Sequence, residues 1–161
     1  MKFISLNIEA NLHHDTALPF LKGSKADVIC LQEVLEDDFE FLKKELGCDG
    51  IWKPRGHSHS TLPRYSAIHK KRYGSAIFSK VIKDKGSVFY WGSEDKLELP
   101  YEEIFNHPEE TRSYSFVWAD IEAEDRKMYR CVTTHFPVTN KGESSPHQLE
   151  ILPPFFKELD A

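Results

Sequence analysis

Apolar residues recur along the first third of the chain with the spacings of strands and helices. Residues 2–8, KFISLNI, alternate apolar and polar side chains and predict a strand. Residues 14–25 carry a short helical pattern that Gly23 is expected to end. Residues 27–32, DVICLQ, form an apolar run typical of a strand that is buried on both faces. These three segments together predict a β-α-β unit.

A second helix is predicted over residues 36–46, EDDFEFLKKEL. The segment opens with acidic residues and closes with lysines, which is the charge order that a helix dipole favours. Phe39, Leu42 and Leu46 share one helical face, and Gly47 is suited to end the helix.

The remaining sequence predicts more strands and one further helix. Strand-like apolar runs occupy residues 73–79, 86–91, 113–121 and 128–135, and residues 50–72 and 92–111 are predicted loops. Ser145 and Pro146 have the pattern of an N-cap and first turn, in a helix that Pro153 and Pro154 are expected to kink or end. The whole pattern predicts one domain, over residues 1–161, of mixed α/β class with mostly antiparallel strands.

Composition limits the classes of protein that the chain can belong to. Its 161 residues with 40% hydrophobic content are enough for one buried core. Three widely spaced cysteines provide neither a disulfide framework nor a zinc site, which favours a reducing, cytoplasmic location. No stretch has the length of a membrane span, and the first residues do not form a signal sequence.

The charge is unevenly distributed. The net charge is −5, yet residues 50–75 contain six lysines and arginines and no acidic residue. Two interpretations stay open: a solvated loop, or a basic patch that holds an anionic substrate or partner.

Three polar residues stand at the ends of predicted apolar strands. If these strands are neighbours, Asn7, Glu33 and His135 converge at one edge of a sheet. Carboxylate and amide oxygens suit Mg²⁺, and a histidine beside such an ion can donate to a phosphate oxygen. Each residue also has a purely structural interpretation, since Glu33 could cap the next helix or pair with a lysine, Asn7 could form a turn, and His135 could lie in the core.

The motifs around these residues carry a family resemblance. The strings SLNIE, DVICLQEV, YGSAIFSK and CVTTHF, in this order, resemble the N-terminal half of the endonuclease/exonuclease/phosphatase superfamily, which includes deoxyribonuclease I. The resemblance runs from about residue 2 to about residue 159. It implies one half of a four-layer α/β/β/α sandwich, with a mixed, mostly antiparallel sheet and flanking helices.

The resemblance also implies roles for individual residues. It gives Asn7 and Glu33 the role of binding Mg²⁺, or Mn²⁺, and His135 that of contacting the scissile phosphate. It suggests that Arg72 and Tyr73 contact the substrate. Glu9 holds the place of an acid that some members carry, and Gly74 is expected to pack closely beneath the site.

The sequence departs from the family in its second half, because the GDxN and SDH motifs of the superfamily are missing. The chain is therefore expected to be an incomplete domain: a truncated or cleaved chain, or one polypeptide of a nicked enzyme. On its own it should be nearly inactive and should expose the inner face of its sheet. A partner is expected to cover that face, either the missing C-terminal half or a second copy.

The sequence thus predicts the N-terminal part of a divalent-metal-dependent phosphoesterase. Its substrate would be a phosphodiester or phosphomonoester, such as a nucleic acid, an inositol phosphate, a nucleotide or a phospholipid headgroup, cleaved by metal-assisted attack of water. The alternative is a non-catalytic binding or assembly module that uses the same half-fold.

Overall fold

Two β-sheets lie at the centre of the fold. The computed structural model describes residues 1–58, 62–98, 113–136 and 146–159. In chain order its elements are β1 (Phe3–Asn7), α1 (His14–Ser24), β2 (Val28–Leu35), α2 (Phe39–Leu46), β3 (Asp49–His57), β4 (Arg72–Ser79), β5 (Ile82–Trp91), β6 (Tyr114–Glu122), β7 (Met128–Thr133) and α3 (Pro146–Leu159). Short 3-10 helices occupy Glu36–Asp38, Pro63–Ile68 and Asp95–Glu98.

The first sheet has the strand order β1-β2-β4-β3. Strand β1 pairs with β2 in parallel through the crossover helix α1, whereas β2, β4 and β3 pair antiparallel. The predicted β-α-β unit and the mixed, mostly antiparallel α/β class are therefore confirmed.

Strand β2 is buried on both faces because each face of the first sheet is covered. Ile29 and Leu31 pack with Leu21 of α1 and Leu42 of α2. Val28 and Cys30 point the other way, since successive side chains of a strand alternate between faces. This alternation explains the continuous apolar run in the sequence.

The second sheet, with the antiparallel order β5-β6-β7, covers the other face of the first. Its Val117, Ala119 and Ile121 pack against Val28, Cys30 and Ile77 of the first sheet. Phe116 of β6 points outward, where Phe155 of α3 stacks on it at 3.9 Å between ring centroids. The described residues thus contribute to all four layers, in the order helix, sheet, sheet, helix.

This arrangement corrects the expectation of an open inner face. The chain leaves the first sheet after Ser79 and starts a second sheet at Ile82, so that β4 and β5 belong to different sheets. The two sheets bury each other's inner faces, and the chain supplies parts of both sheets. The predicted α/β class, as part of an α/β/β/α sandwich, is confirmed.

Several predicted boundaries also differ from the structure. Residues 49–57, interpreted as part of a basic loop, form the edge strand β3, in which Pro54 hides the usual alternation. Helix α1 continues past Gly23 to Ser24, and α3 passes Pro153 and Pro154 and ends at Leu159. Helix α2 ends at Gly47 as predicted, with the left-handed φ of 63° that glycine favours.

Two predictions fall on residues that the structure does not describe: most of the loop over 92–111, and the N-cap Ser145. No helix in the described residues combines the length and the apolar content that crossing a membrane requires.

Candidate active site

The structure brings Asn7, Glu33 and His135 together. The amide Nδ2 of Asn7, at the end of β1, donates a hydrogen bond of 3.1 Å to Oε1 of Glu33. Nε2 of His135 lies 3.8 Å from the same oxygen. The sequence predicted that His135 ends the strand over residues 128–135. In the structure β7 ends at Thr133, so His135 lies in the segment that follows the strand. Glu33 therefore links the first sheet to the end of the second.

Glu33 was predicted to stand at the end of its strand. In the structure it lies at a β-bulge inside the strand. The register of β2 against β4 shifts between Gln32 and Val34, and Glu33 has a φ of 60°. A bulge inserts one residue and redirects its side chain. Val34 faces the helices, while the Glu33 carboxylate reaches the pocket described below.

A second bulge lies on the opposite side of β4. The register of β3 against β4 shifts between Pro54 and Gly56, so that Arg55 is the extra residue. Arg55 is only 8% exposed, and its Nη1 lies 3.3 Å from Nδ1 of His135. Nη1 also donates to the Tyr73 hydroxyl at 3.4 Å. Sequence reasoning counted Arg55 only as a charge of the basic segment, and its flanking Pro54 and Gly56 were the available sign of a bulge.

Gly74 of β4 lies between the two bulges. A Cβ atom at this position would lie 1.9 Å from the carbonyl oxygen of Lys53 and 2.9 Å from Cα of Pro54. Only a glycine lets β3 approach this closely, and the contact agrees with the structural role expected for Gly74.

Gln32 was missed by the sequence interpretation. Its Nε2 donates to Oγ1 of Thr133 at 2.9 Å and to Oγ of Ser5 at 3.2 Å. These bonds join β1, β2 and β7 directly beneath Glu33, and they hold the strand that leads to His135. The Gln of the QE string thus connects the two sheets.

A pocket of about 590 Å³ opens beside Glu33. It is lined by Asn7, Glu9, Ala10, His13, Glu33, Leu35, His57, Ser58, Tyr65, Ile68 and Tyr73. Tyr73, a predicted substrate contact, thus reaches the pocket. The other predicted contact, Arg72, lies 3.5 Å from Glu36 and over the ring of Trp52, outside this lining.

Glu9 organises one wall of the pocket. Its carboxylate accepts hydrogen bonds from the Tyr65 hydroxyl and from Nε2 of His13, and Arg64 lies 3.8 Å away. The hydrogen bond from Tyr65, followed by that from His13, lowers the pKa of Glu9, which therefore stays ionised. No pattern in the sequence indicates the contact of Glu9 with Tyr65, because the two residues lie far apart along the chain.

The His135 ring is neutral at physiological pH. Burial of the ring, and secondly the nearby Arg55 guanidinium, lower the pKa of His135 to about 4. A neutral imidazole carries a proton on one nitrogen and offers a lone pair on the other.

The donor set at Glu33 fits a hard divalent cation. Carboxylate and amide oxygens suit Mg²⁺ or Mn²⁺, and the Asn7 amide lies beside Glu33, with its Nδ2 atom 3.1 Å from Oε1 of Glu33. The Oδ1 atom of Asn7 accepts from the backbone N–H of Glu9 at 2.9 Å, which fixes the side chain at this edge. Within the described ranges, no three His, Cys, Asp or Glu side chains form a metal-binding group. Asn7 and Glu33 could therefore supply only part of the ligands of such an ion.

The basic segment does not form a continuous cationic surface. Four of its six cations lie near carboxylates, in the pairs Lys53–Glu94, Arg64–Glu9, Lys71–Asp37 and Arg72–Glu36. Arg55 is buried. This local neutralisation weighs against the interpretation of the segment as a patch for a polyanion.

Comparison with known proteins adds a family assignment. The sequence profile of the Endonuclease/Exonuclease/phosphatase family matches residues 4–144. No curated protein matches the sequence.

Solved structures share the fold at low identity. An endonuclease/exonuclease/phosphatase from Bacteroides vulgatus has a TM-score of 0.65 and 16% identity, and the match covers 98% of this chain and 59% of that one. The mannosyl-6-phosphatase of Bacteroides thetaiotaomicron VPI-5482 has a TM-score of 0.63 and 13% identity, covering 99% and 60%. The human Nocturnin catalytic domain, with a bound sulfate anion, has a TM-score of 0.63 and 18% identity, covering 99% and 58%. The chain thus spans about three fifths of each of these structures.

Proposed function

Because the chain belongs to the Endonuclease/Exonuclease/phosphatase family, we propose that it is part of a divalent-metal-dependent phosphoesterase. The observation that carries this proposal is the meeting of Asn7, Glu33 and His135 around one carboxylate oxygen. Members of the family act on phosphate esters, and this arrangement combines a site for a cation with a donor for a phosphate oxygen.

Each of the three side chains has a distinct role in the proposal. Glu33 and Asn7 would hold Mg²⁺ or Mn²⁺, which would neutralise charge on the phosphate and lower the pKa of a bound water. His135 would donate a hydrogen bond to a phosphate oxygen as negative charge develops in the transition state. Asn7 additionally orients Glu33 through its Nδ2 hydrogen bond.

The pocket supports a small alcohol component on the substrate. Its volume of about 590 Å³ lies within the range for binding sites of small organic molecules. The rings of Tyr65 and Tyr73 offer flat apolar surfaces, and Glu9 can accept hydrogen bonds from hydroxyl groups. We therefore propose a phosphomonoester or phosphodiester of a hydroxyl-bearing molecule, with the phosphate at Glu33 and the alcohol in the pocket. Tyr73 would then contact the substrate, whereas the contact predicted for Arg72 stays a prediction.

Two strand edges favour a protein partner. Within the described residues, β1 and β7 each pair along one side only. Phe3 of β1 is 47% exposed, and Met128 and Tyr129 of β7 are also exposed. Unpaired edges with apolar side chains are sites for the addition of further strands. We propose that a C-terminal half, or failing that a second copy, covers these edges and completes the active site. The cytoplasmic location stays a prediction.

The decisive experiment measures hydrolysis of p-nitrophenyl phosphate and bis-p-nitrophenyl phosphate by the full-length protein. Activity should require Mg²⁺ or Mn²⁺, should disappear with EDTA and should return when the ion is restored. Glu33→Gln keeps the shape of the side chain but removes its charge, and it should lower kcat/KM by about 100-fold or more. Glu45→Gln is the matched control, since Glu45 pairs with Lys22, away from the pocket and from the predicted substrate contacts. Equal activity of Glu33→Gln and wild type would overturn the proposal.

A further inference from the structure

We infer that Arg55 is a positioning residue, which fixes His135 in the tautomer that carries its proton on Nε2, the nitrogen facing Glu33. The inference about the ring rests on the geometry alone. Its meaning for catalysis rests on the function proposed above.

The first argument is the chemistry of the contact. Nη1 of Arg55 lies 3.3 Å from Nδ1 of His135 in hydrogen-bonding geometry. An arginine guanidinium has only donors, so the nitrogen that it contacts must accept. If Nδ1 carried the proton, two N–H groups would face each other in a buried place. The neutral ring therefore carries its proton on Nε2.

The second argument is that Arg55 is held in place. It is the extra residue of the β3 bulge and only 8% exposed. Its guanidinium lies 4.9 Å from the ring centroid of Tyr114 and 5.9 Å from that of Tyr73. Two aromatic rings and a backbone bulge thus fix the direction in which Nη1 donates.

The third argument is the unusual pairing of the arginine. In the described part of the chain, the hydrogen bonds and ring contacts of the Arg55 side chain are with Tyr73, Tyr114 and His135, and none is with a carboxylate. Its Nε is buried without a hydrogen-bond partner among the same residues. Burying a charge without a counter-ion is costly, and a purely structural position would be better served by an apolar side chain. The contact with His135 gives the arginine a function that no apolar residue could supply.

The tautomer determines what His135 can do in the proposed reaction. With its proton on Nε2, the ring can donate a hydrogen bond from the side of Glu33, where the phosphate would bind. The same nitrogen has no lone pair available, so it cannot take a proton from an attacking water. In the protein without substrate, Nε2 of His135 is therefore a hydrogen-bond donor.

The test is a measurement of the ring nitrogens of His135 by ¹⁵N NMR on histidine-labelled protein at neutral pH, without added metal. Wild-type protein should show the Nε2–H tautomer. In Arg55→Met, which keeps an unbranched apolar stem and removes every donor, the tautomer ratio should shift toward Nδ1–H by about tenfold, the size expected for one hydrogen bond. Arg55→Lys retains a donor and should keep most of the wild-type ratio.

Two controls make the result interpretable. The exposed ring of His13 is observed in the same spectra and should not respond to changes at Arg55. Backbone amide spectra report whether Arg55→Met is folded. If it is not, the tautomer of the ring in wild-type protein decides. Wild-type protein with its proton on Nδ1, or an unchanged ratio in folded Arg55→Met, would overturn the inference.

Failure of this inference is distinguishable from failure of the proposed function. The NMR readout needs neither substrate nor turnover, so an inactive protein can still show the Nε2–H tautomer. Conversely, a metal-dependent hydrolase that depends on Glu33 but has the other tautomer would refute only the role of Arg55.

Discussion

Strand β4 has a bulged neighbour on each side, and the two extra residues differ in charge and in exposure. On the β2 side, the bulge presents Glu33, whose side chain is 29% exposed and lines the pocket. On the β3 side, the bulge presents Arg55, which is 8% exposed and touches the back of His135. The same backbone feature thus presents both the group that would meet the ligand in the proposed function and the group that contacts the histidine beside it.

The comparison of the two bulges shows how one sheet can place a negative and a positive side chain beside the same histidine. Regular strands would turn these side chains into the packed layers, where a charge is costly. Each bulge adds one residue and frees one side chain from that alternation. The two bulges meet at Gly74, so the position of both charges depends on a single residue of β4.

The largest effect is expected from Gly74→Ala, because Gly74 pairs with both bulged strands and lies in close contact with β3 beside its bulge. The new methyl group would lie 1.9 Å from a backbone oxygen of Lys53, so that β3 must move. We expect a loss of about 3 kcal/mol in the free energy of unfolding, measured by urea denaturation. Gly23→Ala, whose new methyl group has no neighbour within 4 Å, should instead be neutral or stabilise α1 by up to about 1 kcal/mol. Equal stabilities of the two variants would contradict the account of Gly74.

A smaller effect is expected from Gln32→Leu, which tests the residue just before the first bulge. This change removes the donor to Thr133 and Ser5 and leaves a buried hydroxyl without its partner. The free energy of unfolding should fall by about 1–2 kcal/mol. Ser5→Ala removes only the longer, more exposed bond and should cost less than about 0.5 kcal/mol. A Gln32→Leu protein as stable as wild type would show that this link between the sheets is dispensable.

Trp52→Phe tests whether the two bulges are independent of each other. The indole N–H of Trp52 donates to the carbonyl oxygen of Val34 at 3.0 Å, next to Glu33. Loss of this bond should cost about 1 kcal/mol in unfolding free energy and should loosen only the β2 bulge. The tautomer of His135 should therefore stay as in wild type. A changed tautomer would mean that the two bulges are coupled.

The smallest effect is expected from Lys71→Gln, which contrasts a surface cation with the buried Arg55. Lys71 forms an exposed ion pair of 2.8 Å with Asp37. Loss of an exposed pair should leave the free energy of unfolding nearly unchanged, and the small loss should shrink further at high salt. The KM of the full-length enzyme should be unchanged within about twofold. A large rise in KM would restore the hypothesis that the basic segment binds the substrate.

The sequence predicted those parts of the fold in which a regular pattern decides the structure. Strand β1, the helix that ends at Gly47 and the apolar strand β2 follow from hydrophobic spacing and from a glycine at the helix end. Asn7, Glu33 and His135 could be selected because polar side chains next to apolar runs are unusual, and the family motifs supported that choice.

The parts of the fold that could not be predicted from the sequence are those in which a regular pattern is interrupted. Pro54 and the extra residue Arg55 remove the alternation from β3, so this strand resembled a loop. The packing of the second sheet on the first depends on a change of direction near Lys80, for which short-range spacing gives no signal. The contact between Tyr65 and Glu9 joins residues that are distant in sequence. Such contacts are determined by tertiary structure.

The candidate site belongs to neither sheet alone, and this has a consequence for the effect of distant mutations. Glu33 is part of the first sheet, whereas His135 follows the last strand of the second, so their separation depends on the distance between the sheets. The core side chains Ala119 and Cys131 help to set that distance. Under the proposed function, a substitution at either position that shifts the sheets by a fraction of an ångström would lower turnover in a protein that is still folded. Activity would thus measure core packing more sensitively than thermal unfolding does.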